Sequence, residues 1–150
     1  MIKEFKGRYR FLSNFYTCDV EYEGMTYPST EHAFQAAKFS DIEKRKQIQR
    51  CSTANQAKNL GQDPVGFRAD WHKVRIHIMH KIVKAKFMQH PNLKEALHAT
   101  ENQQLQEGNL WHDSFWGVDL RTGKGSNKLG KLLMLIRRQF REEDANVCSL

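Results

Sequence analysis

Apolar positions along the chain repeat with two different periods, and the change between them divides the sequence into elements. From residue 2 to 27 apolar and polar residues alternate in short runs, which reads as short strands and loops. Val20-Glu21-Tyr22 and Met25-Thr26-Tyr27 flank Glu23-Gly24, so a tight hairpin is predicted there. Pro28 is expected to break the second strand, and Ser29-Thr30 offers N-cap hydroxyls to a helix. The period then becomes helical. Ala33, Phe34, Ala36 and Ala37 mark a helix over about 30–39, a second is expected over 42–51, and a third over 54–60, closed by Gly61. Residues 70–88 predict the longest and most central helix: Trp71, Val74, Ile78, Ile82 and Ala85 recur every three or four positions, and Met79 and Val83 widen that face. His90-Pro91 ends it, and residues 92–99 predict a short helix. Over 103–116, Leu105, Leu110, Trp111, Phe115 and Trp116 suggest short strands or extended loops with aromatic anchors. A final helix carries Leu129, Leu132, Leu133, Ile136 and Phe140.

The sum is an α+β fold, mostly helical: a single compact domain over 1–143 with about six helices and a small antiparallel sheet, and a frayed tail over 144–150. At 150 residues, 39% of them apolar and 27% charged, the chain suits one globular domain that needs no metal or disulfide to fold. No apolar run is long enough for a membrane span, and residues 1–6 lack the apolar stretch of a signal peptide. Three scattered cysteines without a CxxC pair argue against a disulfide framework or a zinc site, so a reducing cytoplasm is the expected location. His72, His77 and His80 share a helix without a carboxylate partner or HExxH spacing, and neither a metal nor a cofactor is expected. The net charge of +7 favours anionic ligands, or it reflects solvated helix faces alone.

Four segments could carry chemistry. In Ser29–Lys38, Glu31, Gln35 and Lys38 fall at i, i+4 and i+7, on one helix face spanning roughly 10 Å. A carboxylate there can move protons or stabilise a cationic sugar, and an amine can form a Schiff base with an opened sugar. The plainer reading is a favourable first-turn charge followed by ordinary helix formers. In Glu107–Gly117, Asp113 lies among Trp111, Phe115 and Trp116, which could stack a base around a catalytic acid or could anchor a turn. In Gly123–Gly130, a glycine-rich turn opening a helix could present N–H groups to phosphate; it lacks the Walker ending, and a loop capped by Ser126 is the alternative. In Phe11–Phe15, Ser13-Asn14 could bond a base or ribose edge, or form a turn. Trp71 could stack on a ligand, although its place on an apolar face suits core packing.

Together the segments resemble the NADAR (YbiA-like) family. The matching stretches are Phe11–Phe15, Tyr27–Phe39, Asp70-Trp71, Ala85–Phe87, Asp113–Gly117 and Gly123–Met134, in the family's order, covering about residues 5–142. The resemblance implies a mostly helical fold and N-glycosidase activity on one of two substrate classes. These are ADP-ribose attached to guanine, in DNA or as a nucleotide, and early phosphoribosyl intermediates of riboflavin synthesis. Carried over by position, Glu31, Lys38 and Asp113 become the catalytic candidates, with Lys38 the Schiff-base nucleophile or a phosphate contact. Ser13, Asn14, Phe15, Gln35, Trp71, Trp116, Gly117, Gly123, Lys124, Gly125 and Asn127 become the substrate-binding candidates. Where the family often has Gly-Gly between its WG and GKG elements, this chain has Val118–Thr122, which puts substrate choice in that loop. The charge favours the ADP-ribosylated guanine and a nucleic-acid contact through the basic surface. The rival from another class is a non-catalytic module that binds ADP-ribose or nucleic acid.

Overall fold

The computed structural model describes residues Met1–Cys148. The chain forms two compact units, one built from residues 14–91 and one from residues 1–13 together with 92 onward.

The first unit begins with an antiparallel hairpin, β1 (Thr17–Tyr22) and β2 (Met25–Ser29), in which Tyr22 pairs with Met25. Glu23 and Gly24 both take positive φ, 50° and 80°, the two-residue turn whose twist matches that of its strands. Pro28 does not end β2. The pairing register shifts between Thr17 and Val20, opposite that part of the strand, so the missing proline N–H falls where the ladder is already irregular. Helix α1 (Thr30–Ala37) follows directly. Ser29 Oγ caps it by accepting from the His32 N–H at 3.1 Å. The same hydroxyl lies 2.6 Å from His32 Nδ1, and His32 Nε2 donates to the Cys51 carbonyl at 2.9 Å. Burial holds the imidazole pKa below its ordinary value, so the neutral ring suits a Ser29 hydroxyl that donates to Nδ1.

All eight residues of α1 are buried. Its alanines, Ala33, Ala36 and Ala37, let it pack closely against α2 (Ile42–Gln49), α3 (Ala54–Leu60), α4 (Trp71–Gln89) and the hairpin. α4 buries Trp71, Ile78, Met79, Ile82 and Val83 of the face its spacing predicts; Val74 and Ala85 of that face are half-buried, and Phe87, outside it, is buried as well.

The second unit holds a 3-10 helix over Gly7–Leu12, where the alternation suggested strands or loops. Ile2 nevertheless forms a parallel bridge with Leu105. α5 (Pro91–His98) is followed by two short strands, β3 (Gly108–Asn109) and β4 (Val118–Asp119). These pair in parallel, a second sheet that periodicity over so few residues could not announce. α6 (Lys128–Cys148) has 21 residues against 19 in α4 and is the longest helix among the described residues, contrary to expectation. It also continues past the tail boundary expected at 144, where Lys94 Nζ pairs with Asp144 at 3.2 Å; residues 149–150 of that tail lie outside the described residues. Arg137 is buried on α6, and its guanidinium donates to Thr100 Oγ1 and the Gln103 carbonyl.

Candidate active site

Helix α1 aims its polar stripe into the interior of its unit. Glu31 is 7% exposed, its N–H donates to the Asn14 carbonyl at 3.0 Å, and its Oε1 accepts from Gln35 Nε2 at 2.7 Å. Gln35 Oε1 is buried and has no hydrogen-bond partner among the described residues. It packs against Gly61, where a Cβ would stand only 2.1 Å away. Lys38 closes the stripe at the end of α1, donating from Nζ to the Gly61 carbonyl at 3.1 Å. The ammonium lies 5.3 Å from the Phe67 ring centroid and 6.0 Å from that of Phe34. Burial draws the Lys38 pKa below the ordinary lysine value; the charge of Glu31 opposes this shift and that of Lys58 adds to it. Gly61, the cap of α3, thus takes the lysine on its carbonyl and leaves room for the glutamine by having no side chain.

Three further candidates lie in the same unit. Asn14 is buried, with Nδ2 3.5 Å from Met79 Sδ. Phe15 is half-buried, and the Lys58 ammonium lies 6.0 Å from its ring centroid. Trp71 is 4% exposed, with its ring centroid 5.1 Å from Phe34. It packs as a core residue behind the ring that Lys38 faces, which leaves it little surface for stacking on a ligand.

The remaining candidates belong to the other unit. Ser13 caps the 3-10 helix, donating its N–H to the Arg10 carbonyl. Asp113 organises a turn: Oδ1 accepts from the N–H groups of Phe115 at 3.0 Å and Trp116 at 2.9 Å. The buried Asn109 holds the Asp113 backbone on both sides, accepting its N–H and donating to its carbonyl. Phe115 and Trp116 are half-buried and meet edge to face at 4.8 Å. Gly117 and Gly125 are needed for close packing. A Cβ on Gly117 would stand 1.8 Å from Glu107 Oε2, and one on Gly125 would stand 2.3 Å from the Gly117 carbonyl oxygen.

The glycine-rich turn corrects one expectation. The N–H groups of Gly123, Lys124, Ser126, Asn127, Lys128 and Leu129 donate to Asp119 O, Thr122 Oγ1, Ser114 O, Gly117 O, Phe115 O and Trp116 O. All but the Gly125 N–H among the donors of a phosphate cradle are thus engaged in holding the loop, so an anion here would be met mainly by side chains. Asn127 is also committed: Oδ1 accepts the Glu107 N–H and Nδ2 donates to the Leu105 carbonyl. Lys124 is exposed.

The sequence reading missed a cluster in this same loop. His112 Nδ1 lies 2.6 Å from Oδ2 of the buried Asp119, and Arg121 Nη1 lies 3.3 Å from His112 Nε2. His112 has φ of +64°, a backbone conformation costly for a residue with a side chain. Spacing offered no sign of it, because the three residues meet through loop folding and not through a helical or strand period. Asn109 escaped for the same reason.

Among the described residues no group of three or more His, Cys, Asp or Glu side chains could hold a metal ion, and no helix is long and apolar enough to cross a membrane.

Comparison with known proteins adds a lineage to this geometry. A family model described as NADAR domain matches residues 2–141. N-glycosidase YbiA of Escherichia coli (strain K12) is 40% identical over 133 residues, covering 88% of this chain and 82% of that protein. A riboflavin biosynthesis protein of Vibrio vulnificus (strain YJ016) is 38% identical over 133 residues; the match covers 88% of this chain and 36% of that longer protein. The solved NMR structure of E. coli YbiA superposes with a TM-score of 0.85 at 37% identity, covering 97% of this chain and 88% of that one.

Proposed function

The chain belongs to the NADAR domain family, and from that premise we propose that it is an N-glycosidase, a hydrolase that breaks the bond between a ribose and a nitrogenous base. The observation that carries this reading is the buried α1 stripe. It holds a carboxylate fixed by an amide, and an amine whose pKa is lowered by burial, within one helical face. A lysine can attack a sugar only as the neutral amine, and burial raises the fraction in that form near neutral pH. In the proposed reaction the Lys38 amine adds to the anomeric carbon, and Glu31 supports the developing positive charge and transfers protons. The base departs protonated, leaving the sugar joined to Lys38 as an N-glycosylamine. Its ring C–O bond then breaks, the ring oxygen taking up a proton as the amine nitrogen loses one. Water hydrolyses the resulting imine to free the sugar and restore the lysine. Asp113 is the second carboxylate of this reading and is tested by its own variant.

The substrate we favour is ADP-ribose joined to guanine, because a net charge of +7 suits a ligand rich in phosphate, with the basic surface free to meet nucleic acid. A second reading has an observation of its own. The Vibrio vulnificus relative is named for riboflavin biosynthesis, which favours an early phosphoribosyl intermediate of that pathway. Incubating the protein with an oligonucleotide carrying ADP-ribosylated guanine, and separately with the phosphoribosyl intermediates, decides between them by product mass. Loss of the ADP-ribose mass with guanine restored supports the first reading. Release of the base from the intermediates alone supports the second, and cleavage of neither rejects the N-glycosidase reading.

A further inference from the structure

The segment Val118–Thr122 is held by a buried carboxylate. Asp119 is 6% exposed, yet both of its oxygens are used: Oδ1 accepts the Arg121 N–H at 2.9 Å and Oδ2 meets His112 Nδ1 at 2.6 Å. The bond from His112, with that from the Arg121 N–H, holds the Asp119 pKa below the ordinary carboxylate value, so the group is an anion. The charge fixes the histidine tautomer. Nδ1 carries the proton that Asp119 accepts, and Nε2 is turned outward. There it meets Arg121 Nη1 at 3.3 Å, and since a guanidinium can only donate, Nε2 accepts. His112 and Arg121 are both exposed, and Lys124, whose carbonyl accepts the Asp119 N–H, is exposed in the same loop.

We propose that Arg121, positioned by His112 and Asp119, binds a phosphoryl group of the substrate. With Nδ1–H on Asp119 and Nε2 accepting from Arg121 Nη1, the His112 ring holds the guanidinium in place, and the exposed guanidinium presents its other N–H groups to an anion. Arg121 gives the fork of N–H groups that matches phosphate oxygens, and His112, fixed by Asp119, holds that fork in position. The left-handed His112 backbone is the conformational cost of aiming the ring this way. The glycine-rich turn next to this cluster uses the N–H groups of Gly123, Lys124, Ser126 and Asn127 internally, so the Arg121 side chain is the better-placed anion contact. The inference rests on the N-glycosidase reading only in calling the ligand a substrate, since a phosphoryl group is common to both substrate classes.

The test titrates the full chain at fixed pH with ribose 5-phosphate and, separately, with ADP-ribose, following the His112 ring resonances by NMR. Arg121→Ala is the main variant, since its exposed side chain can be removed while its backbone bond to Asp119 remains. Wild type is expected to show a saturable His112 shift, and Arg121→Ala to bind at least tenfold more weakly, with Arg121→Lys in between. Tighter binding of ADP-ribose assigns a diphosphate, and equal binding of both probes assigns a single phosphate. No saturable shift with either probe, or equal affinity of wild type and Arg121→Ala, overturns the proposal. The N-glycosidase reading fails separately: binding at His112 without cleavage of any substrate leaves the anion site standing. Full cleavage with kcat/KM unchanged in Arg121→Ala removes the site and leaves the reading.

Discussion

The α1 stripe and the loops around Asp113 were both candidates on sequence, but they are built in opposite ways. Glu31 and Gln35 lie on one helix with Lys38 as its C-cap, buried on a scaffold of small side chains, with Gly61 beside Gln35 and Lys38. Asp113, His112 and Arg121 lie in loops, with Asp119 ending the two-residue β4, and their conformation depends on side chains bonding backbone from several residues away. The first arrangement sets its chemistry by burial, as the lowered Lys38 pKa indicates. The second sets it by hydrogen-bond direction, at exposed groups. A buried helical stripe suits bond making with water excluded, and an exposed guanidinium oriented by its neighbours suits holding a charged substrate.

The contrast is broken most severely at Lys38. Lys38→Ala should lower turnover by roughly three orders of magnitude while the circular dichroism spectrum and thermal unfolding stay close to wild type. Normal turnover would remove the stripe from the chemistry. Gly61→Ala should come next, because the new methyl group collides with Gln35 and shifts both Glu31 and Lys38. A loss of about 100-fold in kcat is expected from such a displacement, with a stability loss of about 1–3 kcal/mol by urea titration. Adding Gln35→Ala should return the stability and leave the activity low.

A different buried lysine sharpens what burial does in this unit. Lys86 is 1% exposed, with its ammonium over the rings of Tyr16 and Phe87, and its pKa is drawn from 10.5 to about 8 by burial, against the opposing effect of Cys18. Below pH 8 the lysine is charged folded and unfolded, and the burial cost stands in full. Between pH 8 and 10.5 the folded amine is neutral while the unfolded one is still charged, so the cost is relieved as pH rises. Wild type should therefore gain up to about 3 kcal/mol relative to Lys86→Met across that window, read from paired denaturation curves. A flat difference would show that burial does not lower the Lys86 pKa, the folded amine staying charged through the window. The smallest effect is expected at Asp113. Asp113→Asn keeps the oxygen that caps the turn, so its stability should fall by less than about 1 kcal/mol, against about 1–3 for Asp113→Ala. A roughly tenfold fall in turnover in the Asn variant would then report the charge itself, because a charge-assisted hydrogen bond is about twice as strong as a neutral one.

The same contrast explains what could be read in advance. The hairpin at Glu23-Gly24, α1 with its cap at Ser29, α3 to Gly61 and the inward stripe of α4 follow from turn chemistry and a 3.6-residue period, which are local properties. Glu31, Gln35 and Lys38 inherit that legibility because a helix fixes its own faces. The parallel pairing of β3 with β4 depends on segments ten residues apart in irregular chain, and the 3-10 helix at Gly7–Leu12 has too few residues for a period. Trp71 could be placed on an apolar face by spacing, and its packing on Phe34 agrees with that placement more than with a stacking role. The glycine-rich turn looked like a phosphate cradle because sequence lists donors without saying where they are spent.

The most direct test of the central claim is borohydride trapping during turnover, followed by intact-protein and peptide mass spectrometry. Reduction of an imine between substrate sugar and enzyme should add the sugar's mass to the protein, map to Lys38, and be absent from Lys38→Arg. Active turnover under borohydride with unmodified protein, or an adduct on another lysine, would contradict the assignment of Lys38 as the group that attacks the sugar.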